Sequence, residues 1–196
     1  MDQYFVIFKP MNMLSQFSKE AGSDKMTLAD LGTFPKDVYP VGRLDSDSEG
    51  LLILTNDKTL NNKLLDPSNG HDRTYLVQVE GNISREALEE LKSGVTIRIN
   101  KKDHRTRTAK AVQVKSPDWL PERNPPVRYR AEIPTSWIEL TISEGKNRQV
   151  RRMTAAVGYP TLRLVRKSIE RLDVRSVLPQ TLMEIEQQEL MDRLFN

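Results

Sequence analysis

An unbroken apolar run, Tyr4 to Phe8, stopped by Lys9-Pro10, predicts a buried strand at the start of the chain, and a short helix is expected around Thr27 to Leu31. Turn formers crowd Val41 to Gly50 and lead into Leu51-Leu52-Ile53-Leu54-Thr55, whose continuous apolarity predicts a strand covered on both faces. Asn56 or Asp57 can cap a helix over Lys58 to Leu65, ended by Asp66-Pro67. A strand follows at Thr74 to Gly81, then a helix capped by Ser84 with Leu88 and Leu91 inward, stopping at Gly94. Strands are expected at Val95 to Ile99 and at Ala109 to Val114. Ser116 to Pro134 holds Pro117, Pro121, Pro125, Pro126 and Pro134 and reads as an ordered, non-regular excursion. Trp137 to Ile142 alternates as a strand with one exposed face, and Gly145-Lys146-Asn147 opens a helix from Arg148 to Val157, closed by Gly158. Strands near Leu162 to Arg166 and Leu182 to Ile185 complete an α+β pattern with many antiparallel connections.

The length of 196 residues suits one domain, or one domain of two packed halves. Cys is absent and His71 and His104 are the only histidines, which excludes disulfides, thiolate metal sites and a cysteine nucleophile and argues against a Ser-His-Asp site. The first ten residues carry no basic leader, and their apolar run is far shorter than the roughly twenty residues of a membrane span, so a cytoplasmic location is expected.

Net charge is only +3, but its distribution is uneven. Residues 1 to 60 carry six basic and nine acidic side chains, a balance of −3; residues 145 to 175 carry nine basic residues against Glu170 and Asp173, a balance of +7. Arginine-rich asymmetry of this kind suits a phosphate backbone. A second basic run, Arg98 to Lys110, reads equally as part of an RNA footprint or as a solvated loop. On the helix expected from Arg148, the side chains of Arg148, Arg151 and Arg152 share one face, with Val150, Met153 and Val157 opposite, and the helix N-terminus beside Lys146 is a natural anion site.

Asp45-Ser46-Asp47-Ser48-Glu49-Gly50 opens like a calcium loop, but Asn56 stands where the bidentate Glu belongs and the second half is the apolar strand, so no metal site is expected there. The same acids, Asp45, Asp47 and Glu49, leave open a metal-dependent nuclease as a rival activity. A non-catalytic RNA-binding module is a second rival.

Gly42-Arg43-Leu44-Asp45, then Gly50 through Asp57, then Tyr75 through Gly81, then Glu144-Gly145-Lys146-Asn147-Arg148-Gln149-Val150-Arg151-Arg152-Met153 resemble, in order and spacing, the signature motifs of the RNA pseudouridine synthases. The branch is that of the ribosomal small-subunit synthase A type. Trp119 through Pro126 and Ile133 through Trp137 resemble its large-subunit (23S) uridine synthase E type, which begins at the catalytic domain without an S4 RNA-binding module. The likeness runs from about Val6 to Val174 and fades after Leu178. It implies a single catalytic domain over 1–196, two α+β halves sharing a mixed, mostly antiparallel sheet with a central cleft. It further implies a monomer, no cofactor and no metal, and a uridine in a 23S ribosomal RNA stem-loop as substrate.

The resemblance also assigns roles. Asp45 becomes the catalytic carboxylate, attacking the nucleoside or removing its proton, with attack at C6, attack at C1′ and C2′ proton removal all left open. Arg151 is its charge partner and Tyr75 packs on the target base and is a candidate for the later proton removal. Arg43 fills the gap left by the extruded base, and Lys9, Lys146, Arg148, Arg152 and Arg166 contact RNA.

Overall fold

The structure, a computed structural model, describes residues 2–128 and 132–196. Along the chain run β1 (Tyr4–Lys9), β2 (Tyr39–Pro40), β3 (Glu49–Thr55), α1 (Lys58–Leu65), β4 (Arg73–Glu80), α2 (Arg85–Ser93), β5 (Thr96–Ile99), β6 (Lys102–Arg105), β7 (Lys110–Val114), β8 (Thr135–Ile142), α3 (Gln149–Ala156), β9 (Thr161–Ile169), β10 (Leu172–Asp173), β11 (Leu182–Ile185) and α4 (Gln187–Phe195). The expected α+β class is observed. The chain divides into two compact units, Met1–His71 with Arg166–Asn196, and Asp72–Val165.

In the first unit β1 is the central strand, antiparallel to β11 on one side and to β3 on the other, with Tyr4 opposite Thr55 and Lys9 opposite Gly50. Every residue of β1 and β3 is buried, as continuous apolar runs require when both faces of a strand are covered. One face packs Phe5, Ile7, Leu52 and Leu54 against Met13, Leu28 and Val38, and the Phe34 ring meets Phe5 edge-on at 5.2 Å. The short helix expected at Thr27 to Leu31 is a single 3₁₀ turn, Leu28–Asp30, whose Asp30 Oδ2 accepts from Thr27 N at 2.7 Å. Asp57 is the cap of α1, accepting from the main-chain N–H of Thr59 and Leu60, and it also accepts the Tyr4 hydroxyl at 2.9 Å. Burial and that hydrogen bond together push the Tyr4 hydroxyl's pKa up.

The C-terminal tail, where no element beyond β11 is expected from sequence, ends in α4, which buries Leu190 and Leu194. Its end is held by Arg171 N donating to Leu194 O, and Phe195 lies beside the His71 ring, whose Nδ1 is 2.6 Å from Glu170.

The second unit is built on β4, β8 and β7, successive antiparallel neighbours, with β9 on the other side of β4. All eight residues of β4 pair, from Arg73 opposite Ile142 to Glu80 opposite Thr135. Along β8 burial alternates, Ser136, Ile138, Leu140 and Ile142 inward, as its sequence period predicts. In α2 the fully buried positions are Ala87 and Leu91; Leu88, expected inward, is half-buried because the inward stripe passes through Ala87. The basic run expected as loop or footprint contains a strand: β6 folds back on β5 through Asn100 and Lys101, both at positive φ, as a two-residue hairpin turn demands.

No helix or strand interrupts the described residues between β7 and β8, in keeping with the expected excursion. It is pinned by Arg123, which donates to the carbonyls of Pro125, Pro126 and Leu162, and by Arg163, which donates to Pro121 O at 2.7 Å. No helix among the described residues is long and apolar enough to cross a membrane.

Gly50 marks the tightest backbone approach in the first unit. Its φ is +107°, and a Cβ there would lie 2.3 Å from Arg166 O and 2.6 Å from Arg166 N. Backbone atoms cannot yield to that contact as a flexible side chain can. Gly50→Ala is therefore expected to cost about 3 kcal/mol or more, or to abolish folding, in urea unfolding. Gly145→Ala, where a Cβ meets nothing within 4 Å, should stay within about 0.5 kcal/mol of the native protein.

Candidate active site

Asp45 owes its position to the pattern around it. Val41 and Leu44 are buried and Gly42 turns at φ +73°, so the chain is driven inward on either side of Arg43, which is left exposed, and Asp45 emerges exposed beyond Leu44. The loop is held by its main chain. Ser15 Oγ donates to Leu44 O at 2.7 Å and accepts from Leu44 N at 3.0 Å. Asn12 N donates to Ser46 O at 2.8 Å, and Ser48 N closes a turn on Asp45 O at 3.0 Å. Arg43 Nη2 donates to Gln16 Oε1 at 3.1 Å, which leans its guanidinium over the 16–18 segment.

Two of the residues expected on RNA are inside the protein. Lys9 is 0% exposed and its Nζ donates to Pro10 O at 3.0 Å and to Met13 O at 2.7 Å. Arg166 is 5% exposed and its Nε donates to Leu51 O at 2.8 Å. Lys9 continues the inward run of β1 and Arg166 lies against Gly50, so both are packed beneath the Asp45 loop and present no charge to a nucleic acid. Burial pushes the Lys9 ammonium down to about 8, against the opposing pull of Glu49, Asp47 and Asp45.

Among the described residues, no three His, Asp or Glu side chains gather in a group that could hold a metal. Leu51 to Thr55 stays in the core as β3, leaving no second half for a calcium loop.

The remaining candidates belong to the second unit. Tyr75 lies on β4 opposite Leu140, 9% exposed, its ring largely covered. Arg148, expected as the first residue of the helix, is instead its N-cap, in the left-handed region at φ 50°. It is exposed together with Lys146, while Arg151 is half-buried on the first turns of α3. Arg152, expected on RNA, is half-buried, and its guanidinium is engaged at the surface: Nη1 donates to Arg98 O at 2.6 Å and Nε to Asn147 O at 3.1 Å. It ties α3 to β5.

The residue that organises this segment is Glu144, which the motif reading included but assigned no role. It is buried, and its carboxylate accepts from Arg107 N at 2.9 Å and from Gln149 Nε2 at 2.7 Å and meets His104 Nε2 at 3.1 Å. Gln149 Oε1 in turn accepts from Lys146 N at 3.0 Å, closing residues 144–149 on themselves. Burial alone would raise the Glu144 pKa, but these three donors hold it below the usual carboxylate value. A sequence signal existed in the spacing of an acid and an amide across a glycine turn, Glu144-Gly145 to Gln149, but nothing in it distinguishes a buried pair from a solvated one. The structure thus gathers Lys9, Arg43, Asp45 and Arg166 in the first unit and Tyr75, Lys146, Arg148, Arg151 and Arg152 in the second.

A sequence model of the family described as RNA pseudouridylate synthase matches residues 3–156. A protein of Xanthomonas axonopodis pv. citri named ribosomal large subunit pseudouridine synthase E is 52% identical over 161 residues, covering 82% of each chain. One of the same name from Vibrio parahaemolyticus is 49% identical over 183 residues, 92% of this chain and 73% of that one. A solved structure titled as a pseudouridylate synthase superposes with a TM-score of 0.76 over 98% of this chain and 74% of its own, at 24% identity, which shows a shared fold.

Replacing Glu144 by Gln removes the charge from a buried acceptor of three donors. A loss of about 2 kcal/mol at pH 7 is expected in urea unfolding. A carboxyl whose folded pKa is depressed stabilises above its unfolded pKa, near 4.5, and that stability is lost as pH falls through the folded value. The gap between native and variant should therefore narrow below about pH 4.5.

Proposed function

The chain belongs to the RNA pseudouridylate synthase family, and from that membership we propose that it isomerises uridine to pseudouridine in large-subunit ribosomal RNA, with Asp45 as the catalytic carboxylate. The observation that carries the assignment to Asp45 is its setting: an exposed acid on a loop whose neighbours on both sides are fixed through their main chains. A carboxylate held this way keeps its position when a nucleoside arrives.

The reaction breaks the N1 to C1′ bond, turns the uracil and joins C5 to C1′; C5 loses its proton and N1 gains one. It is an internal rearrangement without net oxidation, so side chains can supply all of its acid, base and nucleophile chemistry. The target base has to leave its stack, at a cost of a few kcal/mol. Arg43, exposed and planar, is the side chain suited to fill the gap, and Tyr75 to cover the extruded base. Arg151 is the proposed charge partner of Asp45. Lys146 and Arg148, both exposed, meet phosphates, while Arg152 shapes the surface that carries them. The names of the relatives support large-subunit (23S) ribosomal RNA as substrate, and a monomer acting in the cytoplasm is part of the same proposal.

Tritium release from [5-³H]uridine-labelled 23S RNA, assayed in EDTA, tests the reading. The native protein should release tritium, and Asp45→Asn should release none while binding RNA with unchanged affinity. Binding without release by the native protein would sink the assignment in favour of a binding module. RNA cleavage restored by magnesium would sink it in favour of a nuclease.

A further inference from the structure

Lys9 is a lysine with no access to water, and the turn it holds reaches the loop carrying the acid on which the proposed reaction depends. Its Nζ donates to two carbonyls of one turn, those of Pro10 and Met13. That turn is the clamp on the Asp45 loop: Asn12 N holds Ser46 O, and Ser15, at its exit, holds both the N–H and the C=O of Leu44. The clamp thus grips the residues on either side of Asp45, and an ammonium forms its base. The charges that act on that ammonium are those of Glu49, Asp47 and Asp45, from the start of β3 and the loop before it, and of Arg166 from β9. Three carboxylates within five residues of sequence repel one another unless positive charge lies among them.

We infer that Lys9 is a positioning residue for Asp45, fixing the turn that clamps the Asp45 loop and supplying, with Arg166, the buried positive charge that keeps the three acids of that loop together. This rests on the assignment of Asp45 as the catalytic carboxylate.

The two contributions come apart with pH. Burial holds the Lys9 ammonium at about 8, below the usual 10.5, with Glu49, Asp47 and Asp45 pulling the other way and Arg166 adding to the decrease. A deprotonated amine keeps two N–H groups, enough for Pro10 O and Met13 O, so the turn survives while the charge is lost. The catalytic rate constant should therefore fall as pH rises through about 8. Stability moves the other way. A lysine whose folded pKa is depressed leaves the unfolded chain binding more protons between about 8 and 10.5, so its share of stability rises across that window. An alkaline loss of activity without a loss of fold is the signature.

The test is single-turnover tritium release between pH 6.5 and 9, with filter-binding affinity and urea unfolding measured beside it. Lys9→Gln should lower the rate constant by about ten- to a hundredfold, leave RNA affinity unchanged and remove the alkaline limb. Lys9→Arg, whose charge does not titrate in this range, should also lack the limb. Should neither variant fold, Ser15→Ala cuts the clamp without touching Lys9: a lowered rate constant with the limb still near pH 8 is expected. A folded Lys9 variant with the native rate and pH profile would overturn the inference, as would Ser15→Ala at the native rate or a native profile flat to pH 9. Absence of release by the native protein at every pH would instead count against the proposed reaction.

Discussion

An ammonium group cut off from water must find its acceptors in the protein, and around Lys9 that requirement shapes everything near Asp45. The strand β1 carries Lys9 inward as the last of six buried residues, so the chain directly after it has to turn and present carbonyls. The turn that results holds Ser15 and Asn12 where they meet the Asp45 loop. On the far side Gly50 is pressed against Arg166, and only a residue without a side chain permits that approach. Buried charge, turn and glycine form one constraint, with the exposed carboxylate as its outcome.

The second unit solves a comparable problem with the opposite sign. Glu144 is an anion away from solvent, and three donors from separate segments converge on it. The left-handed Arg148 and the exposed Lys146 are thereby carried by a closed loop, not a flexible one. A chain whose net charge is only +3 can in this way display concentrated positive charge on a surface whose foundations are acidic.

What the sequence disclosed follows from what each kind of signal encodes. β1, β3 and α1 were legible because continuous apolarity and a capping Asp57 are local properties. The family motifs singled out Asp45 as the candidate carboxylate without any geometry at all. β6 was not legible, because Lys102-Asp103-His104-Arg105 has no apolar alternation and its turn carries Lys101 where a glycine would have signalled a hairpin. The α3 period was right but its start was not, since a helical wheel does not distinguish Arg148 inside the helix from Arg148 capping it. Lys9 and Arg166, expected at the surface, are buried: sequence shows that a side chain is charged, and only tertiary structure shows whether water reaches the charge. α4 lay in the tail where the likeness fades, although Leu190 and Leu194 have helical spacing.

The clamp on the Asp45 loop reaches Leu44 and Ser46 through their peptide groups. Fold and chemistry are therefore separately encoded there. Position 45 is a socket: the backbone of its neighbours dictates where a functional group stands. That modularity lends itself to chemical rescue by small carboxylates, to photo-caged acids, and to unnatural nucleophiles placed in an otherwise native protein.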